Sequence, residues 1–383
     1  MTIATPTPAE GRSAWDLLLA AVAAGLIVFA LMLARALLSG QPAAIDYLPM
    51  WTGARLAAAE PAKLYDFAAV TTAQRWLLGP IAGMRPFPYP PSALVVLGPL
   101  ARLPFWISYG AWMAAGLAAF LVASLRLAPS GRRWLAAPLL LAPAAAVVGI
   151  VAGQSVFLIG AIAMAAILIL PRRPLLAGVL LGAAMAVKPT VLILVPVALI
   201  AGGHWRALLA AGVAGLLMIG VSVLAYGPGP WPAWIQALPA FQAQVLGDPL
   251  LRKCLITPTG LAAQIGLTGP LLLAWRGAFI LAGIALAAAG FRLTTVPSLR
   301  LTALFGAGLL ASPYAMNYDA ALLLPGAVAI LLAARSSRGR AVALAAFAAV
   351  VAAGFPNVGA VALMIFLALC PISMLADRRG SPA

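Results

Sequence analysis

The stretch "WDLLLAAVAAGLIVFALMLARALL", Trp15 to Leu38, decides the class of fold. It is apolar apart from Asp16 and Arg35, and a helix of about 20 such residues crosses the hydrocarbon core of a bilayer. Similar runs recur along the 383 residues, of which 64% are hydrophobic and only 8% charged. Soluble domains carry about 25% charged residues. The sequence therefore predicts an all-α polytopic membrane protein.

The apolar runs predict about twelve transmembrane helices in a single integral-membrane domain, residues 1–383. The first run is longer than the apolar part of a secretory signal, about 7–15 residues, which predicts an uncleaved first span. No internal repeat is evident. The predicted spans lie near residues 15–38, 104–127, 134–150, 154–170, 175–187, 190–201, 205–226, 271–291, 297–310, 314–334, 341–352 and 358–375.

The placement of the charges predicts the orientation. The net charge is +16, and the basic residues fall in short loops, among them Arg132-Arg133 and Arg172-Arg173. Cytoplasmic loops carry this excess of Lys and Arg, so both termini are expected in the cytoplasm. A multi-pass protein of a bacterial inner membrane fits the Ala- and Arg-rich composition. Nucleic-acid binding is not expected, because no basic stripe is interleaved with aromatic residues.

Two longer segments, about 39–103 and 227–270, are expected to face the periplasm. The first predicts helices in the membrane interface, one ending before Pro61 and one covering "DFAAVTTAQRWLL". In the second helix, Gln74 is predicted to lie outside the apolar face. Trp51 and Trp76 are expected at headgroup depth.

Asp46 lies just after the first span, in "AIDYLPMWTGARLA", residues 44–57. Aspartate caps helix N-termini well, and Pro49 is tolerated in a first turn, so a cap is one interpretation. The other is a general base. Burial at the membrane surface raises the pKa of a carboxylate toward a useful value. The pattern alone leaves both interpretations open.

Three further polar groups stand at the ends of apolar runs. The Gln154 amide is expected either to form a hydrogen bond to a hydroxylated ligand or to cap a helix. Lys188 precedes Pro189, and its ammonium either snorkels or pairs with a lipid phosphate. Asp319 needs a basic partner such as Lys188 or Arg276, in an ion pair or a ligand site.

The cysteines and the histidine predict no further chemistry. Cys254 and Cys370 lie in different contexts and predict no disulfide. His204 is predicted to be a solvated loop residue. No metal-ligand spacing is present, so neither a metal nor another cofactor is expected.

Read in order, several stretches resemble glycosyltransferase family 87. This family uses sugars linked through phosphate to a polyprenol and includes mycobacterial mannosyl- and arabinofuranosyltransferases. The matching stretches are Asp46-Tyr47, "WTGARLA", "LYD" at residues 64–66, "YPPSALVVLGPLARLP", "GQSVFLIG", "AGVLLGAAMAVKP" and "SPYAMNYD".

The resemblance implies a GT-C-type fold with an active site at the outer membrane face. It implies a polyprenyl-phosphate-linked sugar donor, inversion at the anomeric carbon, and an aspartate base in the first outer loop, which corresponds to Asp46. The acceptor is expected to be a lipid or a glycan, and membrane lipids are the other partners. The substrate-binding candidates are Tyr47, Arg55, Tyr89, Gln154, Lys188, Arg252, Lys253, Arg276, Tyr318 and Asp319.

One stretch departs from the family. Some members carry a histidine in the late "SP" motif, whereas this chain reads "SPYAMNYD" from Ser312 to Asp319. The phosphate contact is then expected from another cation or from the tyrosines. The alternative function is a transporter or lipid-linked sugar flippase, which predicts inverted repeats and broken helices near the membrane midplane. The sequence indicates neither.

Overall fold

The computed structural model describes residues 13–40, 43–79 and 85–379. The predicted cytoplasmic N-terminus, residues 1–12, lies outside the described residues. Within them the chain is helical, and the only β-bridge pairs Leu255 with Met316. The helices are α1 Ala14–Gly40, α2 Tyr47–Ala59, α3 Phe67–Leu78, α4 Leu94–Leu100, α5 Phe105–Leu125, α6 Arg133–Leu141, α7 Ala144–Ala152, α8 Val156–Ile169, α9 Pro174–Val187, α10 Pro189–Leu192, α11 Val195–Ala201, α12 Trp205–Tyr226, α13 Pro230–Gly247, α14 Pro249–Lys253, α15 Pro258–Gln264, α16 Gly269–Arg292, α17 Pro297–Ala311, α18 Leu324–Ala333, α19 Ser337–Ala353 and α20 Gly359–Arg379.

Four described helices are long and apolar enough to cross a membrane: α1, α5, α12 and α16. A fifth span results if α6 and α7 are counted together, although they are bent by 62°. Seven shorter apolar helical segments are also present: six follow other predicted runs, and Pro91–Leu100 lies in the predicted first outer segment. The chain thus has several helices able to span a membrane, and the full set of twelve spans stays a prediction.

Apolar side chains cover the outside of the long helices. Leu31 of α1, Leu216 of α12 and Leu281 of α16 are all exposed. In contrast, α17 is buried from Arg300 to Leu310 and α18 from Leu324 to Leu332. Helices that are apolar all round suit either a core or a lipid environment. The two central helices form the core, and α1, α12 and α16 form the periphery, which suits contact with lipid.

Small residues allow the helices to approach closely. Gly178 and Gly182 of α9 lie against the backbone carbonyls of Ala207 and Ala211 of α12. Glycines four residues apart allow such close backbone contact between helices in membranes. Gly308 of α17 lies in the same way against the Val191 carbonyl.

One predicted span, residues 134–150, is interrupted, and polar residues also stand where neighbouring predicted spans meet. Pro143 stands between α6 and α7, Lys188 separates α9 from α10, and residues 312–316 separate α17 from a 3₁₀ helix, Asn317–Leu323. Proline lacks the N–H that would continue a helix, which explains the breaks before Pro143 and Pro189. These breaks place polar residues inside the bundle.

The first outer segment contains the two predicted helices, α2 and α3, and also α4, but two side chains differ from expectation. Gln74 is buried on the inner face of α3, because its spacing of four from Val70 and three from Leu77 places all three on one side. Trp51 is buried rather than at headgroup depth, and its Nε1 donates to the Leu103 carbonyl at 3.0 Å. Trp76 is 88% exposed.

Several loops that carry arginine lie at one end of the bundle, which we call the basic end. Arg132 donates through Nε to Asp16 at 2.7 Å and through Nη1 to the Leu332 carbonyl at 2.8 Å. His204 lies 3.5 Å from Arg300, between its Nε2 and the arginine Nη1. His204 is a loop residue, as predicted, but it is half-buried and contacts Arg300. Burial, and then Arg300, lower the pKa of His204.

Candidate active site

A cavity of about 510 Å³ opens at the end of the bundle opposite the basic end. Its charged lining consists of Asp46, Arg85, Lys188 and Asp319. Apolar side chains from α1, α7 and α13 line much of the remainder. Concave, mostly apolar sites with a few convergent polar groups are typical of ligand binding.

Backbone hydrogen bonds hold Asp46 at the cavity wall. The N–H groups of Ala44 and Asp46 donate to the carbonyls of Val151 and Ala152, at 2.8 and 2.9 Å. These are among the last carbonyls of α7, which lack partners within their own helix. The turn after α1 is thereby docked onto the end of α7.

The Asp46 carboxylate does not cap α2. Asp46 occupies the N-cap position, but its side chain accepts no hydrogen bond from the backbone of that helix. Instead Oδ2 accepts from Gln154 Nε2 at 2.8 Å, and Oδ1 accepts from Arg85 Nη1 at 3.3 Å. The structure therefore does not support the interpretation of Asp46 as a helix cap. Its carboxylate points into the cavity instead.

A left-handed glycine aims the Gln154 amide at Asp46. Gly153 ends α7 with φ of +83°, a conformation that glycine adopts without a steric cost. A Cβ at this position would stand 2.6 Å from the Cβ of Tyr47. Close packing of α2 against α7 therefore also requires glycine there.

The surroundings of Asp46 have opposing effects on its pKa. Burial raises the pKa of the carboxyl above its ordinary value. The positive charge of Arg85, the hydrogen bond from Gln154 and the charge of Lys188 lower it, in decreasing order. Burial outweighs them, and the result is a carboxylate that is more basic than one in water.

Lys188 and Asp319 form a buried ion pair in the same cavity. Lys188 Nζ lies 2.6 Å from Asp319 Oδ1, and the two side chains are 11% and 5% exposed. Asp319 Oδ2 also accepts from the Met316 N–H at 2.9 Å. The Lys188 ammonium lies 5.7 Å from the centroid of the Tyr318 ring. Of the two partners considered for Asp319, Lys188 is the one in contact.

Tyrosine side chains complete the polar part of the cavity. Tyr89 lines it with its hydroxyl 3.0 Å from Ser155 Oγ. The Tyr89 carbonyl accepts from the hydroxyl of Tyr65 at 2.7 Å, which fixes the proline-rich segment before α4. Tyr318 also lines the cavity.

Five of the predicted substrate-binding residues lie away from the cavity lining. Tyr47 is buried against α5, with its hydroxyl 2.6 Å from Ser108 Oγ. Arg55 is exposed and stacks on Trp51, its Cζ 4.8 Å from the ring centroid. Arg252 and Lys253 on α14, and Arg276 on α16, are also absent from the lining.

Sequence reasoning missed Arg85 and the aromatic wall on α13. Arg85 directly precedes the proline-rich stretch "PFPYPP". A single cation next to a rigid segment that enters the bundle is the signal that could have identified Arg85. Trp234 and Phe241 project from α13 into the lining. Phe241 packs on Tyr314, with ring centroids 5.1 Å apart.

The described residues contain no group of three or more His, Cys, Asp and Glu side chains placed to hold a metal.

Comparison with known protein families identifies the family of the chain. The sequence profile of glycosyltransferase family 87 matches residues 87–313, more than half of the chain. The chain belongs to glycosyltransferase family 87. No curated protein and no solved structure matches the chain.

The family 87 match covers one part of the cavity and not the other. Tyr89, Gln154 and Lys188 lie within residues 87–313, whereas Asp46, Arg85 and Asp319 lie outside it. The structure nevertheless brings all six to one cavity. The role of Asp46 must therefore be argued from its geometry.

Proposed function

We propose that this family 87 protein is an inverting glycosyltransferase of the GT-C type with about twelve spans. It transfers a mannose- or arabinofuranose-like sugar from a polyprenyl phosphate to a lipid or glycan acceptor. Asp46 is its general base. The observation that carries the proposal is the uncapped Asp46 carboxylate, directed into a cavity that also holds Lys188.

The apolar lining supports a lipid-linked donor. Leu33 and Leu37 of α1 and Phe355 line the cavity beside its charged groups. A polyprenol chain favours such surroundings, because burial of apolar surface stabilises by about 25 cal/mol per Å². The sugar phosphate needs the charged groups. A polyprenyl-phosphate sugar, which has an apolar chain and a charged phosphate, matches both the apolar and the charged parts of the lining.

The reaction is a single displacement. The oxygen of the acceptor hydroxyl attacks the anomeric carbon while Asp46 removes the proton of that hydroxyl. The bond from the anomeric carbon to the phosphate oxygen breaks, and polyprenyl phosphate leaves with the electron pair. One carboxylate suffices, unlike in glycoside hydrolysis, where two carboxylates flank the bond.

Hydrogen bonds prepare Asp46 for this role. Gln154 Nε2 holds Oδ2, and a positioned carboxylate of raised pKa is an effective proton acceptor. Lys188 lies in the same cavity and stabilises the charge that grows on the leaving phosphate. A cation fixed before the reaction lowers the barrier because it need not reorganise.

The location we propose is the inner membrane of a bacterium, with the cavity end facing the periplasm. The basic end then faces the cytoplasm, and the excess of arginine in its loops supports this orientation. Broken helices also occur in transporters, the alternative function. The family match favours glycosyltransfer over transport. The helix breaks at Lys188 and near Asp319 bring these two residues into the cavity lining.

Cysteine labelling tests the orientation. In a variant lacking Cys254 and Cys370, Lys253→Cys and Arg338→Cys place single thiols at two exposed positions. An impermeant maleimide added to intact cells should label position 253 and not position 338. The reverse pattern would invert the proposed orientation.

Assay of the purified protein tests the activity. It is supplied with radiolabelled polyprenyl-phosphomannose or polyprenyl-phosphoarabinofuranose and with a membrane lipid extract as acceptor. The proposal predicts labelled glycolipid or glycan together with an equal amount of free polyprenyl phosphate. A transporter would leave both donors intact, and that result with a folded protein would contradict the proposal.

A further inference from the structure

Arg85 is a charged residue of the cavity to which neither the family match nor the proposed mechanism gives a role. Its Nη1 lies 3.3 Å from Asp46 Oδ1. Hydrogen bonds between a cationic nitrogen and a carboxylate are usually about 2.7–2.9 Å long. The contact is therefore loose, and Asp46 keeps a shorter bond to Gln154 at 2.8 Å.

The other edge of the guanidinium has an unused donor. Arg85 Nε is buried and has no hydrogen-bond partner among the described residues. Buried N–H groups in proteins nearly always have partners. In a planar guanidinium, Nε–H and one Nη2–H point the same way and form a fork that matches two phosphate oxygens. Nε is closed to solvent in this structure, so the fork reaches an anion in the cavity when the side chain shifts toward it, and such a ligand would satisfy the unpaired donor.

The backbone of Arg85 is fixed while its side chain reaches the cavity. Gln74 Nε2 donates to the Arg85 carbonyl at 2.6 Å. Gln74 is itself buried on α3. This bond explains why a polar residue occupies the inner face of that helix. It also anchors the guanidinium within reach of Asp46.

The second cation of the lining is already engaged. Lys188 Nζ contacts Asp319 at 2.6 Å, and both side chains are nearly buried. The Asp319 carboxylate thus offsets part of the Lys188 charge before a ligand binds. Arg85 contacts Asp46 only at 3.3 Å, and its Nε has no partner among the described residues. Arg85 is therefore the better placed of the two to accept a new anion.

We propose that Arg85 binds the donor phosphate through its Nε–Nη2 edge while Nη1 remains beside Asp46. This inference rests on the proposed function, because it assumes a phosphate-linked donor. One guanidinium then contacts both the base and the leaving group. It fixes the position of the phosphate relative to Asp46, and hence of the anomeric carbon that the phosphate carries.

Binding of decaprenyl monophosphate to purified protein in detergent tests the inference, with decaprenol as the ligand that lacks phosphate. Arg85→Met should weaken binding of the monophosphate by about 10- to 100-fold, as expected for a lost charged hydrogen bond. Arg85→Lys should recover part of the loss, because it keeps the charge without the fork. Decaprenol affinity should not change in either variant.

Arg75→Met is the matched control, because Arg75 is an exposed arginine of the same outer segment. It should bind decaprenyl monophosphate as the wild type does. In Arg85→Met the acidic limb of the pH–rate profile should also move to higher pH. The variant loses a charge that lowers the pKa of Asp46, so the carboxyl becomes protonated at a higher pH.

The outcomes separate the inference from the proposed function. Wild-type affinity for decaprenyl monophosphate in both Arg85 variants would overturn the role of Arg85 and leave the proposed function intact. A wild-type protein that binds the monophosphate no better than decaprenol would overturn both. If Arg85→Met does not fold, the comparison of Arg85→Lys with the wild type decides.

Discussion

Replacing Asp46 by asparagine should lower the rate of sugar transfer by about 10²- to 10⁴-fold, the usual contribution of a general base. The amide is nearly the same size as the carboxyl but cannot accept the acceptor's proton. Because the Asp46 side chain does not cap α2, the change removes no helix cap. Initial rates of transfer from the polyprenyl-phosphate sugar, at saturating donor, measure the effect.

Asp66→Asn is the matched control for Asp46→Asn. The Asp66 carboxylate caps α3 by accepting from the N–H groups of Ala68 and Ala69, at 2.9 and 3.1 Å. Asparagine caps a helix as well as aspartate, so this variant should transfer at the wild-type rate. Transfer by Asp46→Asn within a few-fold of the wild type, with unchanged thermal unfolding, would show that Asp46 is not the base.

Lys188→Met should cause the second large effect, on stability as well as on activity. The change leaves the Asp319 carboxylate buried without its cation, and breaking a buried ion pair in this way costs about 3–5 kcal/mol. Thermal unfolding in detergent should report the loss. Lys63→Met is the control, because the Lys63–Glu60 pair is exposed and such pairs contribute about 0–1 kcal/mol.

The double variant Lys188→Met/Asp319→Asn separates structure from function. It removes both charges, and the asparagine oxygen can still accept from the Met316 N–H. Stability should return toward the wild-type value. Transfer should stay slow, because the leaving phosphate still lacks the Lys188 charge. Recovery of transfer along with stability would mean that Lys188 serves only to pair with Asp319.

Hydropathy predicted the positions of the helices well but not the bend at Pro143. The predicted span at residues 205–226 coincides with α12, Trp205–Tyr226. The run at residues 134–150, in contrast, is two helices bent by 62° at Pro143. A window of apolar residues cannot distinguish a straight helix from a bent one. Whether a proline break persists depends on neighbours that satisfy the freed backbone groups.

The candidate site was predictable where position along the chain sufficed. Asp46 and Lys188 stand at the ends of apolar runs, and both reach the cavity. Tyr47 follows Asp46 directly, but consecutive residues on a helix do not share a face, so it packs on α5 instead. Arg85 was missed because its contacts with Gln74 and Asp46 depend on how the outer segment folds back.

A cryo-EM map of the protein with a polyprenyl-phosphate sugar bound tests the central claim most directly. We expect the polyprenol along the apolar side near Leu33 and the phosphate within reach of Lys188. We also expect that Asp46 faces the anomeric carbon from the side opposite the phosphate, as a single displacement requires. A donor bound with its anomeric carbon away from Asp46, or outside the cavity, would contradict the account.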